Sequence, residues 1–184
     1  NYNGTSWEQL GDDIDGEAEA DESGFSVSLS ADGSIVAIGG PWNNGVNGHV
    51  RVYKNIDGSW VQLGQDIDGE AGGDLSGYSV SLSADGSIVA IGAYLNDGVN
   101  GQSSGHVRVY NYNGTSWEQL GDDIDGEAAN DRSGWSVSLS ADGSIVAIGA
   151  RYNDGVNGED SGHVRVYQFN GSSWVQLGQD IDGE

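Results

Sequence analysis

Cysteine and methionine are both absent from this chain, and proline occurs once. The missing thiols exclude disulfides, zinc–thiolate sites, iron–sulfur clusters and a cysteine nucleophile together, and leave the redox compartment open. Basic residues are scarce as well. Six Lys and Arg stand against 29 Asp and Glu among 184 residues, a formal charge of −23. Gripping a phosphate backbone or an anionic lipid surface takes cations, so nucleic acid and acidic membranes are excluded as partners. No apolar run approaches the ~20 residues of a membrane-spanning helix, and no membrane insertion is expected. The length suits one domain. The chain opens at Asn1 in mid-repeat without an initiator Met, and is expected to be part of a longer or processed protein.

What is present is one unit written about three times. Trp7, Trp60, Trp117 and Trp174 lie 53, 57 and 57 residues apart. Each is followed by Gln-Leu-Gly and an acidic stretch, and the first three then by Ser-Gly-aromatic-Ser-Val-Ser-Leu-Ser-Ala-Asp-Gly-Ser-Ile-Val-Ala-Ile-Gly. The shorter first interval is a loop deletion: Gly48 runs directly into His49, whereas Gln-Ser-Ser-Gly separates Gly101 from His106. Residues 1–18 are identical to 111–128, and Ser59–Glu70 to Ser173–Glu184, which points to duplication of a two-unit block.

Each unit reads as four short strands. In the second, Ser79-Val80-Ser81-Leu82-Ser83 alternates polar and apolar, the period of a strand with one apolar face. Asp85-Gly86 is a hairpin signal, and Ile88-Val89-Ala90-Ile91-Gly92 reads as a strand buried on both faces. His106–Tyr110 alternates again, Asn113-Gly114 turns, and Ser116–Leu120 closes the unit. No 3.6-residue stripe appears. The expected fold is all-β: four-stranded antiparallel propeller blades at about 23–67, 76–124 and 133–181, with an extra leading strand at 6–14.

Ser-Gly-Tyr-Ser-Val (76–80), Ile-Val-Ala-Ile-Gly-Ala (88–93) and Gly-His-Val-Arg-Val-Tyr (105–110) resemble the FG-GAP repeat of integrin-α-type propellers. The resemblance implies an extracellular recognition module, and in many such propellers a calcium ion in an Asp-rich loop between the first two strands. Here Ser83–Ser87 is too short for that loop, as are 30–34 and 140–144, so calcium at the family's position is not carried over. Propellers typically have 4–8 blades, and three cannot close a ring. Self-association or further blades of a longer chain are therefore expected.

The acidic residues gather between the Trp strand and the next unit: Asp13, Asp15, Glu17 and Asp21; Asp66, Asp68, Glu70 and Asp74; Asp123, Asp125, Glu127 and Asp131. Two carboxylates ~5 Å apart repel by about 3 kcal/mol at an effective dielectric near 20. Hard oxygen ligands on a turn are what Ca²⁺ takes, and each stretch is a candidate calcium site. The competing reading is a solvated acidic loop whose Asp residues cap turns. A second candidate is the amide-rich loop, with Trp42, Asn96, Asp97, Asn100, Asn153, Asp154 and Asn157 placed to hold sugar hydroxyls; Asx turns are the competing reading. His49, His106 and His163 share a strand face with Arg and Tyr and read as buried, hydrogen-bonded histidines. Asn3, Asn113 and Asn170 fit the N-glycosylation pattern, on hairpin tips where Asn-Gly also suits a tight turn.

Every polar feature recurs two or three times, whereas catalysis needs an asymmetric constellation, so no enzyme is expected. Repeated surfaces suit multivalent binding of a protein or glycan ligand. The expectation is an extracellular recognition or adhesion module; the alternatives are a structural subunit of an extracellular filament and a glycan-binding lectin.

Overall fold

The computed structural model describes residues 2–184. Three sheets follow one another along the chain. The first holds β1 (Ser26–Leu29), β2 (Ile35–Gly40), β3 (His49–Ile56), β4 (Ser59–Gln62) and β5 (Ile67–Asp68). The second holds β6 (Ser79–Leu82), β7 (Ile88–Ala93), β8 (His106–Tyr112), β9 (Trp117–Gln119) and β10 (Ile124–Asp125). The third holds β11 (Ser133–Leu139), β12 (Ile145–Ala150), β13 (His163–Phe169), β14 (Trp174–Gln176) and β15 (Ile181–Asp182). Within each sheet the strands pair antiparallel in an up-and-down meander, and single parallel bridges (Gly48 with Ser76, Gly105 with Ser133) join neighbouring sheets. This is the four-stranded blade expected from the repeat, with its outermost strand broken in two: β4 and β5 both pair with β3, and the other sheets repeat the break.

The break has a local cause. Gly64 stands at φ +72°, and a Cβ there would come within 3.1 Å of Trp117 Cδ1 of the next blade. Glycine lets the outer strand leave the ladder at this close approach and rejoin it at Ile67.

The tight turn between the first two strands differs from a two-residue hairpin. It spans 83–87 and is organised by a carboxylate. Asp85 Oδ1 accepts from Ser83 Oγ (2.7 Å), Ser87 Oγ (2.7 Å) and Ser87 N (2.9 Å), and only Gly86 takes a positive φ. Asp32 and Asp142 repeat the arrangement. Backbone and serine donors hold Asp32 and Asp142 at about 2, and Asp85 is lowered by the same donors. A carboxyl with a lowered folded pKa stabilises the fold above its unfolded value near ~3.9, and that contribution is lost as pH falls through the folded value. Stability is therefore expected to drop between about pH 4 and pH 2. The triple variant Asp32→Asn, Asp85→Asn, Asp142→Asn should show a shallower fall in denaturant midpoint over that window; an unchanged slope would refute the assignment.

The blades stack face to face. Ile35, Ala37, Val50, Val52 and Ile67 of the first pack on Leu82, Val89, Ile91, Tyr110 and Trp117 of the second. The second seam repeats this, with Ala90, Val107, Val109 and Ile124 packing on Val146 and Ile148. Polar pairs stitch the same seams: Ser26 Oγ donates to Gly77 O, Ser79 Oγ to Gly134 O, and Trp117 Nε1 to Leu63 O. Ser28 Oγ accepts from Leu82 N and Ser81 Oγ from Leu139 N, so the first strands of neighbouring blades run side by side. At the two ends the seams stop, and equivalent residues are bare. Val27 and Leu29 are 62% and 60% exposed on the first blade, and Ile181 is 60% exposed on the last, where its counterpart Ile67 is 3%.

Two local expectations differ from what forms. Residues 6–14 make no strand; among the described residues Trp7 meets Tyr2 through an isolated bridge and a ring contact at 5.4 Å, with no long strand beside it to pair with. The shortened first loop winds into a single helical turn, α1 (Asn43–Val46).

Candidate functional site

The four acids of each stretch do not converge on one point. Asp21, Asp74 and Asp131 are buried, each accepting from an Asn side chain 22 residues on (Asn43, Asn96, Asn153, at 3.0, 3.0 and 2.8 Å) and from a backbone N–H three residues back. Asp68 and Asp125 end the outer strand in register with His49 and His106. Asp15 and Asp68 offer their carbonyls to Arg51 and Arg108 Nη2 at 2.8 and 2.7 Å. Burial raises the Asp125 pKa, with Asp123 adding to it.

The remaining two acids of each stretch go to different neighbours. Glu17, Glu70 and Glu127 reach forward to the histidine of the next blade, while Asp66, Asp123 and Asp180 face the histidine of their own. Three groups result: Glu17–His49–Asp66, Glu70–His106–Asp123 and Glu127–His163–Asp180, with candidate ligand atoms within 4.8 Å of one another in each. Such a group could hold a metal ion. Asp13 has no such group and accepts from Gln9 Nε2 instead. The equivalent glutamine fixes Oδ1 of Asp66, Asp123 and Asp180 at 2.6 Å, which leaves Oδ2 turned to the imidazole. The histidine is buried, as expected, but the expected cross-blade hydrogen bond does not form at His49. It is 1% exposed, and neither ring nitrogen has a hydrogen-bond partner among the described residues. Nδ1 of His163 is likewise unpartnered. Burial lowers the His106 pKa against the opposing pull of Asp123. The sequence signal for this arrangement was the constant 32–36-residue offset between each Glu and its histidine, which only the stacking of blades turns into a contact.

The third group is built differently. Arg165 donates through Nε and Nη2 to both oxygens of Asp180 at 2.8 Å, and Nη2 also contacts Glu127. Asp180 is thereby lowered to about 2.

The amide-rich loops are occupied by their own architecture. Beyond the Asn96 and Asn153 bonds above, Asp97 and Asp154 accept from Ser103 N and Asp160 N, and Asn100 and Asn157 donate to Gly126 O and Gly183 O. These are Asx-type turns, not free ligand groups. Asn3, Asn113 and Asn170 are Asx turns too: each Oδ1 accepts two backbone N–H groups and each Nδ2 donates to a serine.

Trp42 belongs to a feature that sequence reading missed. It packs edge-on against Phe25 (5.0 Å between centroids), and an aromatic ridge continues through Tyr78 (4.8 Å), Tyr94 (4.3 Å), Trp135 (4.7 Å) and Tyr152 (6.0 Å), crossing all three blades. Arg132 lies 4.6 Å above Tyr152 and Arg151 4.9 Å above Trp135. The signal was available: aligned copies read Glu22, Leu75, Arg132; Phe25, Tyr78, Trp135; Pro41, Tyr94, Arg151; and Trp42, Leu95, Tyr152. The framework around these positions is nearly invariant between copies.

Radially stacked four-stranded sheets of this kind define a β-propeller module, and solved structures agree. A proposed 6-phosphogluconolactonase from Bacteroides fragilis superposes with a TM-score of 0.57 at 14% identity, over 86% of this chain and 38% of its own. TolB from Acinetobacter baumannii gives 0.50 at 17% identity, over 86% of this chain and 32% of its own. At such identities the likeness is one of fold, and this chain spans well under half of either structure. No curated protein matches in sequence. Residues 67–110 and 124–167 match the FG-GAP repeat model, so these two stretches of the chain are FG-GAP-type repeats. Repeats of this family are typical of extracellular proteins. Among the described residues no helix is long and apolar enough to cross a membrane.

Proposed function

We propose that the chain is a non-enzymatic recognition module of an extracellular or cell-surface protein, and that the aromatic ridge is where it meets a glycan. The observation that carries this reading is the continuous half-exposed band of rings from Trp42 to Tyr152 across all three blades, whose ring and cation positions differ between copies while the strands beside them repeat nearly unchanged. Aromatic faces stack on the apolar faces of sugars, and Arg132 and Arg151 stand beside them as the cations an acidic sugar would need. In a chain of net charge −23 that placement is selective. What supports a non-enzymatic role is that a glutamate, a histidine and an aspartate come together in every blade and not in one alone, whereas catalysis calls for an asymmetric constellation.

A glycan array that includes uronate- and sialate-bearing sugars tests the reading. Binding is expected, weakened at least tenfold by Trp135→Ala and by Arg132→Ala with Arg151→Ala. An array with no binder, or binding indifferent to both variants, would overturn it.

We also infer that the bare front of the first blade and the bare back of the last meet in a second copy of the chain, since they are the two halves of a seam already formed twice within it. Six blades lie within the range that closes a ring. A head-to-tail contact that failed to close would instead propagate as a filament, which is the structural-subunit alternative.

A further inference from the structure

We propose that the first seam binds a divalent transition-metal ion of the zinc class, held by Glu17, His49 and Asp66. The donor set is one imidazole nitrogen and two carboxylates, with the exposed side of the glutamate leaving room for water. Ions bonded at ~2.1 Å in a tetrahedron hold their ligand atoms ~3.4 Å apart. His49 Nδ1 lies 3.7 Å from both Glu17 Oε2 and Asp66 Oδ2. Small side-chain rotations therefore close the shell.

Two further observations point to a ligand. His49 is buried with both ring nitrogens unpartnered, aimed into the carboxylates, and a buried polar group without a partner calls for one. Gln62 orients Asp66 by binding Oδ1, the outer-shell support that metal-ligating carboxylates commonly have. Calcium favours six to eight oxygen ligands, and a nitrogen with two carboxylates suits it poorly.

Arginine sets the charge left in each seam. Arg51 and Arg108 commit Nη2 to backbone carbonyls and approach the glutamates through Nη1 only to 3.7 and 3.5 Å. Each group then keeps a net charge of −1 when its histidine is neutral. Arg165 instead grips both carboxylates of the third group and excludes a cation there.

Equilibrium dialysis of the metal-stripped chain against zinc, with calcium in parallel, tests this by elemental analysis. One zinc ion per chain is expected, with calcium bound at least a hundredfold more weakly. His49→Ala or the isosteric Asp66→Asn should abolish binding, and Arg165→Ala, which frees the group around the unpartnered His163 Nδ1, should raise the count to two. Circular dichroism identifies any variant that fails to fold, and Asp66→Asn tests the same ligand shell with the smaller change. No zinc at micromolar concentration, equal affinity for calcium, or a count unmoved by folded His49→Ala and Asp66→Asn would each overturn the site. The ridge variants leave these counts unchanged, so the metal and glycan readings fail separately.

Discussion

Replacing Gly92 with alanine is expected to destabilise the chain by about 3 kcal/mol, the upper range for forcing extra volume into a packed core. Gly149→Ala at the equivalent place should cost about 1 kcal/mol or less. Gly92 lies in the second seam, and a methyl group there would fall on the backbone carbonyl of Gly134 and on Ser79 Oγ. Relief would require the second and third blades to part, breaking the Ser79 Oγ to Gly134 O bond at 2.8 Å and the apolar contacts beside it. Gly149 occupies the same register on the last blade, where no further blade stands. Its methyl group would meet only the Ser136 side chain, which can rotate. Urea unfolding midpoints of the two variants measure the difference. Equal losses would show that the seam is not the origin of the constraint.

The second large effect is on mass. At tens of micromolar, sedimentation equilibrium is expected to give at least two copies of the 19.1 kDa chain. Val27 and Leu29 at one end and Ile181 at the other are mostly exposed in a single chain, and an apolar face of this kind marks an association surface. The complementary surface lies at the other end, where Trp135, Gly149, Val164 and Ile181 line an open depression of ≈ 470 Å³. Val27→Asp and Ile181→Asp should each restore the single-chain mass while leaving the circular dichroism unchanged, because neither residue is packed within its own chain. A one-chain mass for the parent protein at every concentration would refute the head-to-tail contact.

Pattern alone carried a good part of this description. Polar–apolar alternation in Ser79–Leu82, the β-branched run of Ile88–Ile91 and the Asn-Gly tips are local preferences, and the strands and turns stand close to where they imply. The Asp85 turn came out longer than a two-residue hairpin, since a carboxylate with three donors can organise a wider loop than two backbone dihedrals would. The acidic stretches were legible as special but not as sites. Alternation along a strand sends neighbouring carboxylates to opposite sides, and Glu70 ends beside a histidine of the following blade.

The identical segments 1–18 and 111–128 make the division plain. Trp7 and Trp117 share every near neighbour in sequence, yet Trp7 is 82% exposed and Trp117 4%. Local pattern was enough to set the all-β blade and its period, because those follow from side-chain alternation and turn chemistry within a few residues. Tertiary structure alone decided which copies are buried, which histidine meets which carboxylate, and where the aromatic residues line up. Each of these depends on a neighbouring blade, and an open end has none.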